Sequence, residues 1–543
     1  MVKRAKYIFV LGGVMSGIGK GIAAASIGKI LQARKFRVNL IKIDSYLNVD
    51  AGTMNPTEHG EVFVLRSGLE CDQDMGNYER FLGIDALSED YITSGMVYRR
   101  VIERERSLGY RGHCVEAIPH IVEEILQRIR NSTRLHQADV SVVEIGGTVG
   151  DYQNIMFIEA ARLLKLRHPE DVLFVMVTYL PLPQKIGEMK TKPTQNAIRL
   201  LNSYGIQPDI ILARSEQPLD RKRKEKIATS CNIREDSVLP APDVDSIYDV
   251  PINFEKSGLA KLICRHLNFP EKKPNLHDWQ KWVELTHYSG KPVKVAVIGK
   301  YFNTGDFILN DVYVSVFEAI KFSAYHLKRK PIIDWISSQD FESGRLNVKI
   351  LSDYGGIIIP GGFGSTGVEG KLSAIRYARE NKIPYLGLCY GMQLAIVEYA
   401  RNVLGFSADT IEINPKTQYP VIDIMPDQKK NIRKKDYGGT MRLGVYPALI
   451  KKGTIAFKAY GQNLIEERHR HRFEVNPAYI EKLEKSGLIF SATSPDNRLM
   501  EMMELPKEKH PFFVGTQFHP EFQARPLNPH PLFTSFIKAI IKR

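Results

Sequence analysis

Cysteine is scarce in this chain of 543 residues, and the five cysteines that occur are widely separated. None lies in the CxxC spacing of a zinc site, and their odd number and wide separation do not suit a disulfide-dense secreted scaffold. No stretch approaches the roughly 20 consecutive apolar residues that cross a bilayer. These absences favour a soluble, cytoplasmic protein that has no membrane partner.

Acidic residues are also outnumbered, 61 against 75 basic ones, which gives a formal net charge of +14. Such an excess would suit a nucleic-acid partner, but the basic runs at 221–226 and 429–435 lack interleaved aromatic side chains. No recognisable nucleic-acid module accompanies them. Solvated surface is the better interpretation of this charge, and we expect no nucleic-acid partner.

Two series of short β-branched runs alternate with amphipathic segments. The runs lie at 7–11, 38–43, 140–145, 172–180, 209–213, 293–299, 355–362, 383–388 and 512–518. Continuous apolar strands separated by helical patterns indicate mostly parallel sheets covered on both faces. The sequence therefore predicts an α/β chain of two doubly wound domains, residues 1–267 and 293–543, joined by a polar, proline-containing linker at 268–292.

A glycine-rich turn, residues 12–21, follows the first predicted strand and precedes a helical pattern. Its backbone N–H groups and the helix N-terminus suit phosphate oxygens, and Lys20 adds a positive charge. The match to the Walker pattern is imperfect, because Val14 replaces its first glycine and Gly21 its hydroxyl residue. Nucleotide binding is favoured, and a plain strand-to-helix turn stays the alternative.

Acidic and polar residues elsewhere in the first domain could complete such a site. Glu144, near the end of a predicted strand, is a candidate magnesium ligand together with Asp72 and Asp74, although a structural hydrogen bond would equally explain a buried glutamate. The segment 187–195, read as a short turn, combines two lysines, two hydroxyls and an amide. It suits an anionic ligand such as a nucleoside triphosphate, and a solvated loop is the alternative.

In the second domain, Cys389 lies in the pattern Gly-Leu-Cys-Tyr-Gly between a predicted strand and a helix. Small residues two positions before and after a nucleophile permit the cramped turn that exposes its side chain, and the helix N-terminus favours the thiolate. His519 and Glu521 follow a strand, whose alternation would place both on one face as base and orienter. The loop 360–364 could supply an oxyanion N–H or be a mere turn.

Eight motifs occur in order along the whole chain: KIDSYLNVDAGTMNPTEHGEVFV, EIGGTVGD, GEMKTKPTQ, DVDSIY, PGGFG, GGTMRLG, ERHRHRFEV and QFHPEF. Through them the sequence resembles the CTP synthase family. The resemblance implies an N-terminal P-loop-like amidoligase domain and a C-terminal class I glutamine amidotransferase domain. It also implies ATP-dependent conversion of UTP to CTP, the last step of pyrimidine nucleotide synthesis to CTP, with glutamine or ammonia as nitrogen source. Phosphorylation of the uracil 4-oxygen would activate UTP, and channelled ammonia would displace the phosphate.

The same resemblance assigns residues and partners. The catalytic triad would be Cys389, His519 and Glu521. Glutamine would be bound by Gly362, Tyr390, Gly391, Met392, Gln393, Glu412 and Arg472. ATP would be bound by Gly17, Ile18, Gly19, Lys20, Gly21, Ile22, Lys42 and Asp74. UTP and the product CTP would be bound by Ser16, Asp151, Tyr152, Gln153, Lys190, Thr191, Lys192, Pro193, Thr194, Gln195 and Lys226. His59 would lie on the ammonia path, Asp74 and Glu144 would hold Mg²⁺, and the expected assembly is a homotetramer activated by GTP and inhibited by CTP.

The sequence departs from the family pattern at several positions. Gln153 stands where the family has a glutamate of the CTP feedback site, and Gly17 replaces a serine in the phosphate loop. Leu182-Pro183-Gln184 interrupts the segment before GEMKTKPTQ. Tyr390 replaces the leucine after the cysteine, and residues 303–309 resemble an insertion near the region used for the GTP response.

Two other functions compete with this prediction. Another glutamine-dependent ligase, such as a cofactor-diamide synthase, would share the two-part plan, although GEMKTKPTQ and GGTMRLG argue against it. A degenerate member acting as a filament or binding protein is the non-enzymatic alternative. The intact Cys389, His519, Glu521 and Lys20 argue against that alternative.

Overall fold

The computed structural model describes residues 4–183, 185, 187–300, 303–304, 307–308, 310–425, 428 and 438–543. The chain forms two compact units. The first unit runs to Asp50 and resumes with Asn77–Val283, and the second contains Ala51–Gly76 and Glu284–Arg543. No helix of the described residues is long and apolar enough to cross a membrane.

The strands include one that overlaps each of the nine predicted β-branched runs, and further strands that the sequence did not predict. In chain order they are β1 (Lys6–Gly12), β2 (Val38–Asp44), β3 (Val62–Val64), β4 (Glu70–Asp72), β5 (Tyr91–Thr93), β6 (Val140–Ile145), β7 (Val172–Tyr179), β8 (Ile210–Ser215), β9 (Val238–Pro242), β10 (Pro292–Gly299), β11 (Asn303–Thr304), β12 (Phe307–Ile308), β13 (Lys330–Ser337), β14 (Gly356–Ile359), β15 (Tyr385–Leu388), β16 (Ala408–Thr410), β17 (Tyr419–Ile424), β18 (Arg442–Ile450), β19 (Leu464–His471), β20 (Phe473–Val475), β21 (Ile489–Thr493), β22 (Met500–Glu504) and β23 (Phe513–Thr516).

The helices of the described residues alternate with these strands. They are α1 (Lys20–Gln32), α2 (Pro56–His59), α3 (Asp74–Leu82), α4 (Ser94–Arg106), α5 (Val122–Leu135), α6 (Ile155–Arg167), α7 (Lys192–Ser203), α8 (Arg221–Ser230), α9 (Val250–Lys256), α10 (Leu259–His266), α11 (His277–Thr286), α12 (Val314–His326), α13 (Ser338–Glu342), α14 (Val368–Glu380), α15 (Tyr390–Asn402), α16 (Ile455–Tyr460), α17 (Pro477–Lys485) and α18 (Pro531–Lys542).

The first unit is built on a seven-stranded sheet in the order β5-β2-β6-β1-β7-β8-β9. Every neighbouring pair is parallel, and the strands are almost wholly buried. Continuous apolar strands need cover on both faces, which the intervening helices provide. The carboxyl ends of β1, β2 and β6 therefore meet at one edge, where ligands bind in open α/β sheets.

The second unit has a nine-stranded sheet in the order β13-β10-β14-β15-β23-β22-β21-β18-β19. The pairs from β13 to β23 are parallel, as the sequence predicts for this α/β unit. The pairs from β23 to β19 are antiparallel, an extension that the sequence analysis did not foresee. The short strands β3 and β4 belong to this unit through Ala51–Gly76.

The predicted polar linker is not free of secondary structure, because α11 begins at His277 inside it. Trp279 and Trp282 of this helix are 2% exposed, and their burial explains why a largely polar segment is ordered. The predicted domain limits at 267 and 293 stay a prediction. Of the predicted insertion 303–309, β11 and β12 pair antiparallel, and its other residues lie outside the described ones.

Candidate active site

The glycine-rich turn lies between β1 and α1, as predicted. Gly19 has φ of 84°, a left-handed conformation that lets α1 begin directly at Lys20. The Lys20 side chain is buried, and its Nζ donates to the Gly147 carbonyl oxygen at 2.6 Å. A helix N-terminus and a lysine therefore converge at this sheet edge, which is the arrangement that anions favour.

A buried ion pair lies beside this turn at the ends of β2 and β6. Lys42 Nζ is 2.9 Å from Glu144 Oε1 and 3.8 Å from Asp44 Oδ1. The Tyr78 hydroxyl donates to the second oxygen of Glu144. Carboxylate oxygens are the donors that Mg²⁺ prefers, and a bound cation would have to share those of Glu144 with Lys42 and Tyr78. The contacts of Glu144 with Lys42 and Tyr78 fulfil the structural alternative, and its role as a Mg²⁺ ligand stays a prediction.

An apolar cavity of about 150 Å³ adjoins the turn. Its walls include Ile18 and Ile22 of the predicted ATP segment, and Phe254 of α9. Arg214 lines its rim, donating to the Gly17 carbonyl at 3.3 Å and to Asp243 at 2.7 Å. Apolar walls next to a phosphate-binding turn suit a nucleobase. The sequence analysis missed Arg214, for which no motif gave a signal.

The segment 187–195 is only partly the turn that the sequence predicted. Helix α7 starts at Lys192, since Pro193 in the first turn loses no helical hydrogen bond. Lys190 Nζ donates to Glu188 Oε2 at 2.6 Å. This hydrogen bond and the Lys190 charge lower the pKa of Glu188, with a smaller contribution from Lys226. Two predicted nucleotide-binding lysines therefore lie around one carboxylate.

The remaining predicted UTP and CTP residues are more dispersed. Asp151 accepts hydrogen bonds from the Thr148 backbone at 2.7 Å and from its hydroxyl at 3.0 Å. Tyr152 is 92% exposed, and Gln153 is exposed beside it. The Gln195 amide is buried and donates to Thr191. The helix N-terminal residues Thr191 and Gln195 are thus fixed, whereas Tyr152 is available to a partner or ligand.

In the second unit, Cys389 lies in a strained turn between β15 and α15. Its φ of 48° and ψ of −96° are unusual for a residue with a side chain. A Cβ at Gly391 would lie 2.2 Å from the Ile359 carbonyl oxygen, and one at Gly387 would lie 2.6 Å from the Tyr385 hydroxyl. Only glycine fits at these two positions, which confirms the predicted shape of the turn.

The predicted base and its orienter are in contact. His519 Nδ1 lies 2.7 Å from Glu521 Oε1, and both side chains are buried. The reason given from the sequence is wrong, since β23 ends at Thr516 and the contact forms in the following 3₁₀ turn (Pro520–Gln523). Burial alone would lower the pKa of His519, but the charges and hydrogen bonds of Glu521 and Cys389 outweigh it and raise the pKa to about 10.

The nucleophile opens into a cavity of about 60 Å³ lined by Cys389, His519, Phe363, Glu61 and Val62. The last two residues come from the segment 51–76, which the sequence analysis assigned to the first domain. Both carboxylate oxygens of Glu61 accept from the backbone N–H of Ser315, in the first turn of α12, at 3.1 Å. The segment therefore forms part of the nucleophile pocket.

The predicted ammonia-path residue belongs to this same segment. His59 Nδ1 lies 3.4 Å from Asp72 Oδ2, and Asp72 Oδ1 accepts from the Asp74 backbone at 2.8 Å. His59 is therefore part of the unit that contains Cys389. Asp74, predicted as an ATP and metal ligand, is held at the start of α3.

Of the predicted glutamine-binding side chains, Gln393 and Arg472 are buried and Glu412 is half-buried. The Glu412 carboxylate accepts from the Gly364 backbone at 2.6 Å, and burial raises the pKa of Glu412. Arg472 donates to Gln428 Oε1 at 2.7 Å. Gln393 uses its amide nitrogen for internal bonds, which leaves its carbonyl oxygen for a ligand.

One buried lysine near these residues was not predicted from the sequence. Lys371 is fully buried, its Nζ lies 5.1 Å from the centroid of the Tyr390 ring, and burial lowers its pKa to about 7. Gly362, at the predicted oxyanion loop, is close by, because a Cβ there would lie 3.8 Å from Lys371 Nζ. The position of Lys371 in the helical pattern of α14 gave no sign that its side chain lies beside the nucleophile turn.

Comparison with known proteins identifies both halves of the chain. Residues 6–269 match the family described as CTP synthase N-terminus, and residues 308–539 match glutamine amidotransferase class-I. CTP synthase of Thermococcus gammatolerans is 52% identical over 541 residues, which cover 99% of each chain. The chain belongs to the CTP synthase family. CTP synthase of Pyrococcus furiosus is 50% identical and covers 98% of this chain and 97% of its own.

A solved glutaminase domain of Trypanosoma brucei CTPS with bound acivicin is 36% identical, with a TM-score of 0.42. It covers 46% of this chain and 94% of its own. Membership confirms the predicted family, the two-part α/β architecture and the enzyme class, a CTP synthase with a glutamine amidotransferase domain. The rival ligase and the non-enzymatic alternative are therefore set aside.

Proposed function

We propose that this chain converts UTP to CTP, using ATP and the amide nitrogen of glutamine. The observation that carries the proposal is the turn at Cys389, with the His519–Glu521 pair beside it, in a chain that belongs to the CTP synthase family. This arrangement can hydrolyse an amide, and the phosphate-binding turn of the first unit supplies the second half of the reaction.

In the glutaminase half, the Cys389 sulfur attacks the side-chain carbonyl carbon of glutamine. The C–N bond breaks, His519 gives its proton to the departing nitrogen, and ammonia leaves behind a thioester. Water, deprotonated by His519, then attacks the thioester and releases glutamate and the thiol. Glu521 holds the imidazole in the orientation that both steps need, and Gly362 offers its N–H to the oxyanion.

In the synthase half, the uracil 4-oxygen attacks the γ-phosphorus of ATP, and ADP leaves. Ammonia then attacks C4, the phosphate departs with the former carbonyl oxygen, and a proton is lost to give CTP. A carbonyl oxygen is a poor leaving group, and phosphorylation makes it a good one. Lys20 and Lys42 would bind the ATP phosphates, with the base in the apolar cavity.

Glu144 and Asp74 are the carboxylates that we assign to Mg²⁺, which would neutralise phosphate charge during transfer. We assign UTP and the product CTP to the residues around Lys190, Lys226 and Gln195, and the ammonia path to the segment of His59. The rarity of cysteine supports a cytoplasmic location.

By family resemblance we further propose a homotetramer that GTP activates and CTP inhibits. Gln153 replaces a glutamate of the feedback site, so inhibition by CTP is tested by measuring the CTP concentration that halves the rate of CTP formation. Light scattering coupled to gel filtration, with and without nucleotides, tests the tetramer. A monomer under all nucleotide conditions would contradict it.

The test of the main reaction follows the absorbance change from UTP to CTP, with ATP and magnesium present. Wild type is expected to use either glutamine or ammonia, and Cys389→Ala only ammonia. Cys114→Ala is the matched control, because Cys114 is an exposed thiol of the first unit. It should retain both activities.

Two results would contradict the proposal. If folded wild type makes no CTP from either nitrogen source, the substrate is wrong. If Cys389→Ala still uses glutamine, the nucleophile is wrong although the synthase reaction stands.

A further inference from the structure

Gln517 of the motif QFHPEF contacts the nucleophile, and none of the functions assigned above includes it. The side chain is 0% exposed and lies in the short link between β23 and His519. Its amide nitrogen is 3.6 Å from Cys389 Sγ, within range of an N–H···S hydrogen bond. Its amide oxygen accepts from Gln393 Nε2 at 3.2 Å.

Which end of the Gln517 amide faces the sulfur is decided by a backbone carbonyl. Gln393 Nε2 lies 3.0 Å from the Phe473 carbonyl oxygen, which can only accept a hydrogen bond. The nitrogen end of Gln393 must therefore lie here, and it presents its other N–H to Gln517. An N–H requires an acceptor, so Gln517 turns its oxygen to Gln393 and its nitrogen to Cys389.

The same carbonyl oxygen is also held from a second side. His471 Nδ1 lies 3.1 Å from it and donates, and His471 Nε2 then accepts from His469 Nδ1 at 3.0 Å. Burial, with the Arg442 charge, lowers the pKa of His471 well below its usual range. Burial, with the Arg442 charge, lowers the pKa of His469 in the same way. A neutral, buried imidazole pair thus supports the Phe473 carbonyl.

The Cys389 sulfur consequently lies between a donor and an acceptor. The Arg470 carbonyl oxygen is 3.7 Å from Sγ and can accept the S–H of the thiol. The Gln517 N–H is a donor and therefore needs the sulfur as an acceptor. A thiolate accepts better than a thiol, since hydrogen bonds to charged sulfur are stronger than those to neutral sulfur.

We propose that Gln517 is a further catalytic residue, whose amide N–H stabilises the Cys389 thiolate in an orientation fixed by Gln393. The inference rests on the proposed role of Cys389 as the glutaminase nucleophile. The proton that leaves the sulfur goes to His519 Nε2, so the pair of charges is held by Glu521 on one side and by Gln517 on the other. Gln393 acts through Gln517 and is a positioning residue in this respect.

The test measures alkylation of Cys389 by iodoacetamide against pH, with the modified peptide quantified by mass spectrometry. This readout needs neither glutamine nor UTP. Gln517→Met keeps the volume and removes the donor, and we expect alkylation at neutral pH to slow about tenfold as the pH of half-maximal rate rises by about one unit. Gln517→Glu replaces the donor by a carboxylate and should be slower still.

Gln393→Met keeps the Gln517 amide but removes the hydrogen bond that orients it. We expect alkylation of Cys389 to slow less than in Gln517→Met. Gln523→Met is the matched control, because the Gln523 amide donates to Glu466 and Glu467 and not to the sulfur. It should alkylate as wild type does. Ammonia-dependent activity and the melting temperature report whether each variant is folded.

A wild-type alkylation profile in folded Gln517→Met overturns the inference. The same holds if Gln517→Met fails to fold and Gln393→Met alkylates as wild type does. If wild type makes no CTP but Gln517→Met slows alkylation as expected, the proposed function fails and the thiolate contact stands.

Discussion

The two chemical sites of this chain are prepared in different ways. At the nucleophile site, His519 is already bound to Glu521, and Cys389 already occupies its strained turn. At the phosphate site, the cationic groups are bound to the protein itself, Lys20 to the Gly147 carbonyl and Lys42 to Glu144. One site is assembled for its reaction, and the other must exchange internal partners for those of a ligand.

The charges of the two substrates explain this difference. Glutamine presents a neutral amide to Cys389, so this site gains from a fixed geometry and needs no cation to balance the charge of the reacting amide. Nucleotides bring several negative charges, and buried lysines that await them would be costly without a partner. Glu144 provides that partner for Lys42, and phosphate can take over from it.

Lys20→Met gives the largest effect that this comparison predicts. Loss of a phosphate-binding cation should lower CTP formation from both glutamine and ammonia by about 10³-fold. Cys389 alkylation should be unchanged. Lys261→Met, at an exposed lysine of the same unit, is the control. A variant that loses only the glutamine-dependent rate would show that the two sites are not separately prepared.

Glu521→Gln should affect one nitrogen source only. The amide cannot stabilise a charged His519, and the glutamine-dependent rate is expected to fall about 10²- to 10³-fold. The ammonia-dependent rate should stay within about twofold, because the synthase half is untouched. Steady-state assays with each nitrogen source check this, with the exposed Glu508→Gln as matched control. Equal loss with both sources would contradict it.

Gly361→Ala sharpens the claim that the nucleophile site is pre-assembled. A Cβ here would lie 2.7 Å from His519 Cε1, so the imidazole would have to move. A displacement of this size is expected to lower the glutamine-dependent kcat about 10- to 100-fold and leave the ammonia-dependent rate intact. An unchanged glutamine-dependent kcat would contradict the prediction, because it would mean that the imidazole can move without loss of activity.

The sequence predicted the local features that follow from chain geometry. Gly387 and Gly391 indicated the turn at Cys389, because few residues permit so tight an approach. The parallel strands of both sheets followed from the β-branched runs, whereas the antiparallel extension of the second sheet did not. The His519–Glu521 contact was predicted correctly from the wrong element, since it forms where the chain enters a 3₁₀ turn and not along a strand.

Features that depend on distant segments were not predictable in this way. The segment 51–76 follows a strand of the first unit, and nothing in its composition shows that it belongs to the second. The orientation of Gln517 depends on the backbone carbonyl of Phe473. Every residue has such a carbonyl, so the sequence does not indicate which one is used. Lys371 is buried in α14, contrary to the usual preference of lysine for solvent.

The smallest effect contrasts one histidine from each unit. His136 Nε2 lies 2.8 Å from Asp90 Oδ2. Burial opposes protonation of His136, but the hydrogen bond and charge of Asp90 outweigh it and raise the pKa of His136. Its stabilising contribution is therefore complete below the unfolded value of about 6.5 and is lost as pH rises through the folded pKa. Burial instead lowers the pKa of His510 to about 4, so the unfolded state gains protons first as pH falls from about 6.5 towards 4.

Urea unfolding at pH 5.5 and pH 8 separates these two cases. His136→Gln should lower the midpoint more at pH 5.5 than at pH 8, because the contribution of the charged pair is lost as pH rises through the folded pKa. His510→Gln should show the reverse, since wild type at pH 5.5 has already lost stability to protonation of unfolded His510. Both differences should be modest beside the catalytic losses above, because each concerns one side chain. Equal costs at the two pH values for His136→Gln would mean that Asp90 holds a neutral imidazole, and the predicted contrast between the units would disappear.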